Sequence, residues 1–222
     1  MSNKKLILGS ASPRRKQLLG FSFPDLEIRV KDFDEQIPEG LRAEKIATFL
    51  SEKKAEHFQN ELQKDEVVIT SDTIVWLDEN VLNKPLSRDE AIEMLQRLSG
   101  RMHKVFTGVT LTSSEKQKTF FVESDVYFRK LSEEEIIFYV EEYKPFDKAG
   151  AYGAQECLAE NFNPLSEKEI LILKKNKAQD LFALTKSSLE KKHVSFIDKI
   201  EGSYFNVMGL PIVELYEAIL KW

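Results

Sequence analysis

Two long strand-like runs, MHKVFTGVTLT at 102–112 and KTFFVESDVYFR at 118–129, are separated only by a short polar SSEKQ. That pairing constrains the fold more than any other feature. So short a connection joins antiparallel strands, because a parallel pair needs a crossover of a dozen or more residues. Further strand-like runs lie at 4–9, 26–30, 66–70 and 73–77, with helical patterns between several of them. An antiparallel hairpin among helix-linked strands predicts an α/β fold with a mixed, twisted sheet flanked by helices, not a purely doubly wound one. No polar stretch is long enough to mark a linker. The expectation is one domain over 1–222, with two lobes on a continuous sheet.

Capping chemistry sets the helices. Ser12, Pro13 and Gly20 frame a helix over 13–20. Residues 42–60 have an amphipathic pattern that buries Ile46, Ala47, Leu50 and Phe58. Ser87 with Glu90, Ser132 with Glu135 and Ser166 with Glu169 each have capping-box spacing. They predict helices to Leu98, to about Glu142 and, from Glu167, to Leu184. Pro211 opens a last helix. YKPFDKAGAYGAQ at 143–155 is predicted as loop, and EGSYFNVMG at 201–209 as a strand with its turn.

The chain carries 32 basic and 37 acidic residues, a net charge of −5. This argues against a nucleic-acid partner, which needs a basic face. A polyanionic small ligand would need positive charge gathered in one cleft. The single cysteine, Cys157, excludes an internal disulfide and fits a reducing compartment. The apolar part of the N-terminus is too short for a signal peptide, and no apolar run approaches the roughly 20 residues of a membrane helix. A cytoplasmic protein without a membrane partner is expected.

SASPRRKQLL at 10–19 looks built for an anion. A helix N-terminus offers free N–H groups and a favourable dipole, and Arg14 and Arg15 add forked donors suited to phosphate. In ITSDTIV at 69–75 an acidic residue, Asp72, interrupts a buried-type run. Such a carboxylate is costly unless paired or metal-bound, which marks it as a metal ligand, a general base or a strand-end cap. Lys84 in VLNKPLS can reach a phosphate or simply be solvated. DFDEQ at 32–36 offers hard oxygen ligands for Mg²⁺. The three histidines show no ligand spacing, and no zinc, serine-triad or Walker A motif is present.

These stretches together resemble the Maf family of nucleotide pyrophosphatases. The matching residues are ILGSASPRRKQLL at 7–19, DEQ at 34–36, SEKKA at 51–55, TSDTIV at 70–75, NKPLSRDEAIEMLQRLSGRMHKVFTGV at 83–109, DKAGAYGAQ at 147–155 and EGSYFNVMGLPIVELY at 201–216. The resemblance implies an enzyme that hydrolyses a nucleoside triphosphate to the monophosphate and pyrophosphate. It also implies a deep cleft between two lobes, a divalent metal (Mg²⁺ or Mn²⁺) and a homodimer. On it, Asp72 is the general base, and Glu35 and Asp72 hold or orient the metal and its water. Ser10, Arg14, Arg15, Lys53 and Lys84 line the phosphate site, and Thr73 and Gln155, with Arg15, choose the base. The KAGAYGAQ loop is similar to that of the subgroup acting on dTTP and UTP, and a glutamine such as Gln155 can meet a pyrimidine edge with a donor and an acceptor.

One departure stands out: a long charged segment, roughly 158–195, where the family pattern has a short connection. It is read as a lid, a dimer contact or a neutral surface insertion. Two alternatives for the function are a 7-methyl-GTP pyrophosphatase and a nucleotide-binding regulator of cell division with little turnover. The carboxylates Asp72 and Glu35 favour catalysis over regulation.

Overall fold

The computed structural model describes residues 4–20, 23–33, 36–159, 162–175 and 194–222. In chain order the elements are β1 (Lys5–Leu8), α1 (Pro13–Gly20), β2 (Glu27–Ile28), α2 (Glu44–Glu56), β3 (Glu66–Leu77) and β4 (Asn80–Leu82). There follow α3 (Arg88–Leu98), β5 (Met102–Thr112), β6 (Gln117–Phe128), α4 (Glu133–Tyr143), α5 (Glu167–Lys175), β7 (Ile197–Gly202), α6 (Tyr204–Val207) and α7 (Ile212–Leu220).

The strands form a seven-stranded sheet in the order β2-β1-β3-β5-β6-β7, with β4 also paired to β3. β1 runs parallel to β2 and β3, and the remaining pairs are antiparallel. The mixed sheet expected from the 102–129 hairpin is therefore observed. The runs at 66–70 and 73–77 are one unbroken strand of 12 residues. Its register sets Asp72 opposite Gly108 and Thr73 opposite Thr107.

Alternation along β3 sends neighbouring side chains to opposite faces. Val67, Ile69, Val75 and Leu77 enter the main core with residues of α3 to α7. Ile74 points the other way, into a smaller cluster with Ile46, Ala47, Leu50 and Phe106 under α2. Gly108 lets α2 lie flat on the sheet, because a Cβ there would overlap the Ala47 carbonyl. Ser51 and Thr70 complete the seam: Thr70 Oγ1 donates to Ser51 O at 2.7 Å.

The caps hold where the sequence places them. Ser87 Oγ accepts from Glu90 N, and Ser132 and Glu135 form a full capping box. The 143–155 loop contains two short 3-10 turns. One expectation is corrected at 201–209. β7 stops at Gly202, whose φ of 112° only glycine adopts without strain, and Ser203 caps the helical turn α6. The helix expected over 167–184 is observed as Glu167–Lys175, and its remainder lies outside the described residues. Among the described residues no helix is long and apolar enough to cross a membrane.

Candidate active site

The turn after β1, α1, residues 30–33, α2, β3, the 147–155 loop and the end of α6 line a cleft of about 520 Å³. Among the described residues, six lysine and arginine side chains line it (Arg14, Arg15, Lys31, Lys54, Lys84 and Lys148) against three carboxylates, Asp32, Asp72 and Asp147. A chain of net charge −5 thus gathers cations in one place. Low-dielectric walls strengthen the field of such a cluster on an anion.

The SASPRR turn forms one end. Ser10 Oγ accepts from Ser12 N at 3.2 Å, and Ser12 Oγ from Arg15 N at 3.5 Å. Arg14 is half-buried and faces Asp147 at 3.6 Å. Arg15 plays a different part from its neighbour. Its Nε donates to Gly209 O at 2.9 Å, one terminal nitrogen to Ser71 O at 2.8 Å and the other to Thr73 Oγ1 at 3.2 Å. It therefore ties α1 to β3 and to the residue after α6 while still lining the cleft.

Asp72 projects towards α2, where Lys54 Nζ donates to its Oδ1 at 2.5 Å and to Ser71 O at 3.3 Å. Lys54 also sits over the Phe33 ring, 4.6 Å from its centroid. The pair is largely shielded, with side-chain exposures of 12% and 14%. The Lys54 ammonium fixes the direction of the Asp72 carboxylate, as a positioned proton acceptor requires.

Lys53 does not line the cleft. It ion-pairs with Glu56 on the exposed side of the same helix, and the cleft lysine is its neighbour Lys54. The sequence held the signal: Ala47, Leu50, Ser51, Lys54 and Phe58 follow the buried-face spacing, whereas Lys53 lies about 100° away. Lys148 is a further cleft cation that sequence reasoning passed over. Its Nζ lies 2.9 Å from Asp147 Oδ1 and 3.5 Å from Glu156 Oε1. The other Glu156 oxygen accepts from Tyr139 at 2.5 Å. No local pattern marks Lys148, since the partner that places it beside the loop, Glu156, is eight residues away and is itself held by Tyr139 of α4. Burial works to raise the Asp147 carboxyl, but the hydrogen bond and charge of Lys148, with Arg14, hold it below its ordinary range.

Lys84 is exposed on the rim, and Gly150 N donates to Asn83 O at 3.2 Å, which ties its turn to the 147–155 loop. That loop is held in unusual backbone geometry: Ala151 has φ 60°, a left-handed conformation costing about 1–2 kcal/mol for a non-glycine residue. Strain of this kind concentrates at binding sites.

Val75, Val105, Tyr152, Ala154 and Met208 give the cleft a less polar part of its wall. Gln155 Oε1 is buried there without a hydrogen-bond partner. Thr73 projects from the face of β3 opposite Asp72 and shares a 2.9 Å hydrogen bond with Thr107 Oγ1. Beneath the loop, His103 Nε2 pairs with the Tyr152 hydroxyl at 2.7 Å, and burial pushes the His103 pKa down to about 3. His103 is a neutral structural group, in keeping with its lack of ligand spacing.

The structure thus brings Ser10, Arg14, Arg15, Asp72, Thr73, Lys84 and Gln155 to one cleft. Glu35 lies outside the described residues. Among the described residues no group of three histidine, cysteine or acidic side chains is placed to hold a metal. Asp72 still offers a hard oxygen donor, which suits a divalent cation held by one or two carboxylates and otherwise by substrate phosphates.

Comparison with known proteins gives a consistent picture. Residues 5–168 match the family model described as Maf-like protein. The chain is 42% identical over 218 residues to a dTTP/UTP pyrophosphatase of Bacteroides thetaiotaomicron, spanning 98% of this chain and 95% of that protein. It is 39% identical over 220 residues to the protein of the same name from Phocaeicola vulgatus, spanning 98% and 95%. The Flavobacterium johnsoniae protein of that name is 38% identical over 215 residues, spanning 97% and 93%. Among solved structures, the Staphylococcus aureus Ham1 protein aligns with TM-score 0.41 and 17% identity, covering 56% of this chain and 72% of its own.

Proposed function

The chain belongs to the Maf family, and from that footing we infer that it is a pyrophosphate-releasing hydrolase acting on dTTP and UTP. The observation that carries this is the shielded Asp72–Lys54 pair facing the arginine- and lysine-lined cleft beside the SASPRR turn. Triphosphate hydrolysis asks a protein chiefly to position groups and neutralise charge.

Asp72 takes a proton from the water that attacks the α-phosphorus. The bond to the leaving pyrophosphate breaks as the new P–O bond forms, and the monophosphate remains. Lys54 keeps the Asp72 carboxylate aimed. Arg14, Lys84 and Lys148 neutralise the phosphate chain, each charged hydrogen bond contributing about 1.5–3 kcal/mol. The Arg14 N–H at the start of α1 and the Ser10 hydroxyl donate to further phosphate oxygens. Arg15 and Thr73 fix the wall beside the base, and the unpartnered Gln155 Oε1 accepts from the N3–H of a thymine or uracil.

Asp72 and, as the family resemblance implies, Glu35 would hold Mg²⁺ or Mn²⁺, which would supply additional charge neutralisation. We extend the proposal to a cytoplasmic homodimer, which rests on the family resemblance and is checked by light scattering. The activity is tested by pyrophosphate release from a panel of nucleoside triphosphates, with Asp72→Asn as control. Release from dTTP and UTP that vanishes in the variant is expected. Release from 7-methyl-GTP instead would overturn the substrate choice, and nucleotide binding without release would favour a regulator.

A further inference from the structure

One buried carboxylate ties α5 to the start of α6, just before residues that line the cleft. Glu169, on the first turn of α5, is 1% exposed. Its Oε2 accepts from Ser166 N and Ser166 Oγ, both at 2.8 Å, which completes the local cap. Its Oε1 crosses to the far end of the chain. There it accepts from Ser203 Oγ at 2.7 Å and from Phe205 N at 3.1 Å. A capping glutamate normally uses its carboxylate at its own helix start. This one also binds the start of α6, and its four partners are neutral donors.

α6 is a single helical turn, too short to hold its own shape. It is set by its bonds to neighbours. Asn206 Nδ2 donates to Val105 O and Ser124 Oγ, each at 3.0 Å, and Thr107 Oγ1 donates to Asn206 O at 3.2 Å. The residues that follow, Met208 and Gly209, line the cleft. Gly209 O is the acceptor for Arg15 Nε at 2.9 Å and for Thr73 Oγ1 at 3.3 Å.

We propose that Glu169 is a positioning residue for the substrate cleft: it clamps the start of α6 and so holds Met208 and Gly209, and through Gly209 the Arg15 guanidinium, in place. α5 then works as a strut for the wall beside the base. A neutral surface insertion would not send its only buried carboxylate among the described residues into the α6 cap.

The kinetic arm of the test rests on the pyrophosphatase activity proposed above, and the exchange arm does not. Full-length Glu169→Ala, Glu169→Gln and Leu173→Ala are compared with the unaltered protein. Leu173 is a buried α5 residue, and its truncation loosens the same helix while leaving the Glu169 carboxylate and its hydrogen-bond partners unsubstituted. Glu169→Ala is expected to raise KM for dTTP about tenfold with a smaller change in kcat, and to speed hydrogen exchange at the Gly209 and Leu210 amides. Glu169→Gln keeps an oxygen for Ser203 and Phe205 and is expected to restore most of both. Leu173→Ala is expected to lower the melting temperature while leaving KM and exchange at 209–210 near the original. If Glu169→Ala and Leu173→Ala alter KM and exchange alike, or neither alters them, the clamp is wrong. If the unaltered protein releases no pyrophosphate, the proposed activity fails, and the exchange comparison alone decides the clamp.

Discussion

Lys54 Nζ stands 2.5 Å from Asp72 Oδ1, and the two side chains are 12% and 14% exposed. The pair joins α2 to the middle of β3 at the point where the cleft is deepest in charge. Removing one member leaves the other as an uncompensated charge in a shielded site, which is far costlier than losing an exposed ion pair.

Lys54→Ala is therefore expected to lower kcat/KM for dTTP by about 100-fold or more, about 2.7 kcal/mol of transition-state stabilisation. Lys53→Ala removes an exposed pair with Glu56 and should stay within about twofold. Steady-state pyrophosphate release from the two variants side by side checks both halves.

Gly108→Ala places a methyl group against the Ala47 carbonyl on the underside of α2. The helix must lift, and overpacking of this kind costs about 1–3 kcal/mol. Lys54 rides on the same helix, so activity should fall by more than the lost folded fraction accounts for. Urea unfolding and kcat measured well below the transition separate the two effects.

Gln155→Ala removes the unpartnered Oε1 from the cleft wall. The expected result is a drop of about tenfold or more in kcat/KM for dTTP and UTP, in line with one lost buried hydrogen bond of about 1.5 kcal/mol. Purine triphosphates should change less. A substrate panel run on both proteins measures the difference.

His103 carries a stability signature. Its pKa falls from 6.5 to about 3 on folding because burial disfavours the charged ring. The unfolded chain therefore binds the proton first. This contribution to stability is whole above about pH 6.5 and is lost as pH falls towards 3, amounting to about 2 kcal/mol by pH 5. His103→Gln should flatten the fall in melting temperature between pH 7 and 5 relative to the unaltered protein.

Much of this was legible in the sequence because the signals were local. Ser87, Ser132 and Gly20 mark helix ends through chemistry within four residues, and the spacing of 102–129 fixes the hairpin. Aromatic and β-branched residues at 204–207 suggest a strand, yet Gly202 breaks the sheet and Ser203 offers a cap, so tertiary bonding to Ser124 and Val105 decides for a helical turn. Lys148 was out of reach, since its placement depends on Glu156 and Tyr139 meeting across the loop. Lys54 was within reach through the period of its own helix.

Asp72 and Thr73 are consecutive, yet the pleat of β3 turns them to opposite faces. The proton-handling pair with α2 and the base-facing wall with Arg15 and Gly209 are therefore built on opposite faces of the sheet, which meet at this dipeptide and at the Ser71 carbonyl that both Lys54 and Arg15 bond. Variants that retune which base is accepted can be sought among the residues of the Thr73 layer, with the Asp72 layer held constant, and a library divided along that line would explore selectivity without discarding turnover.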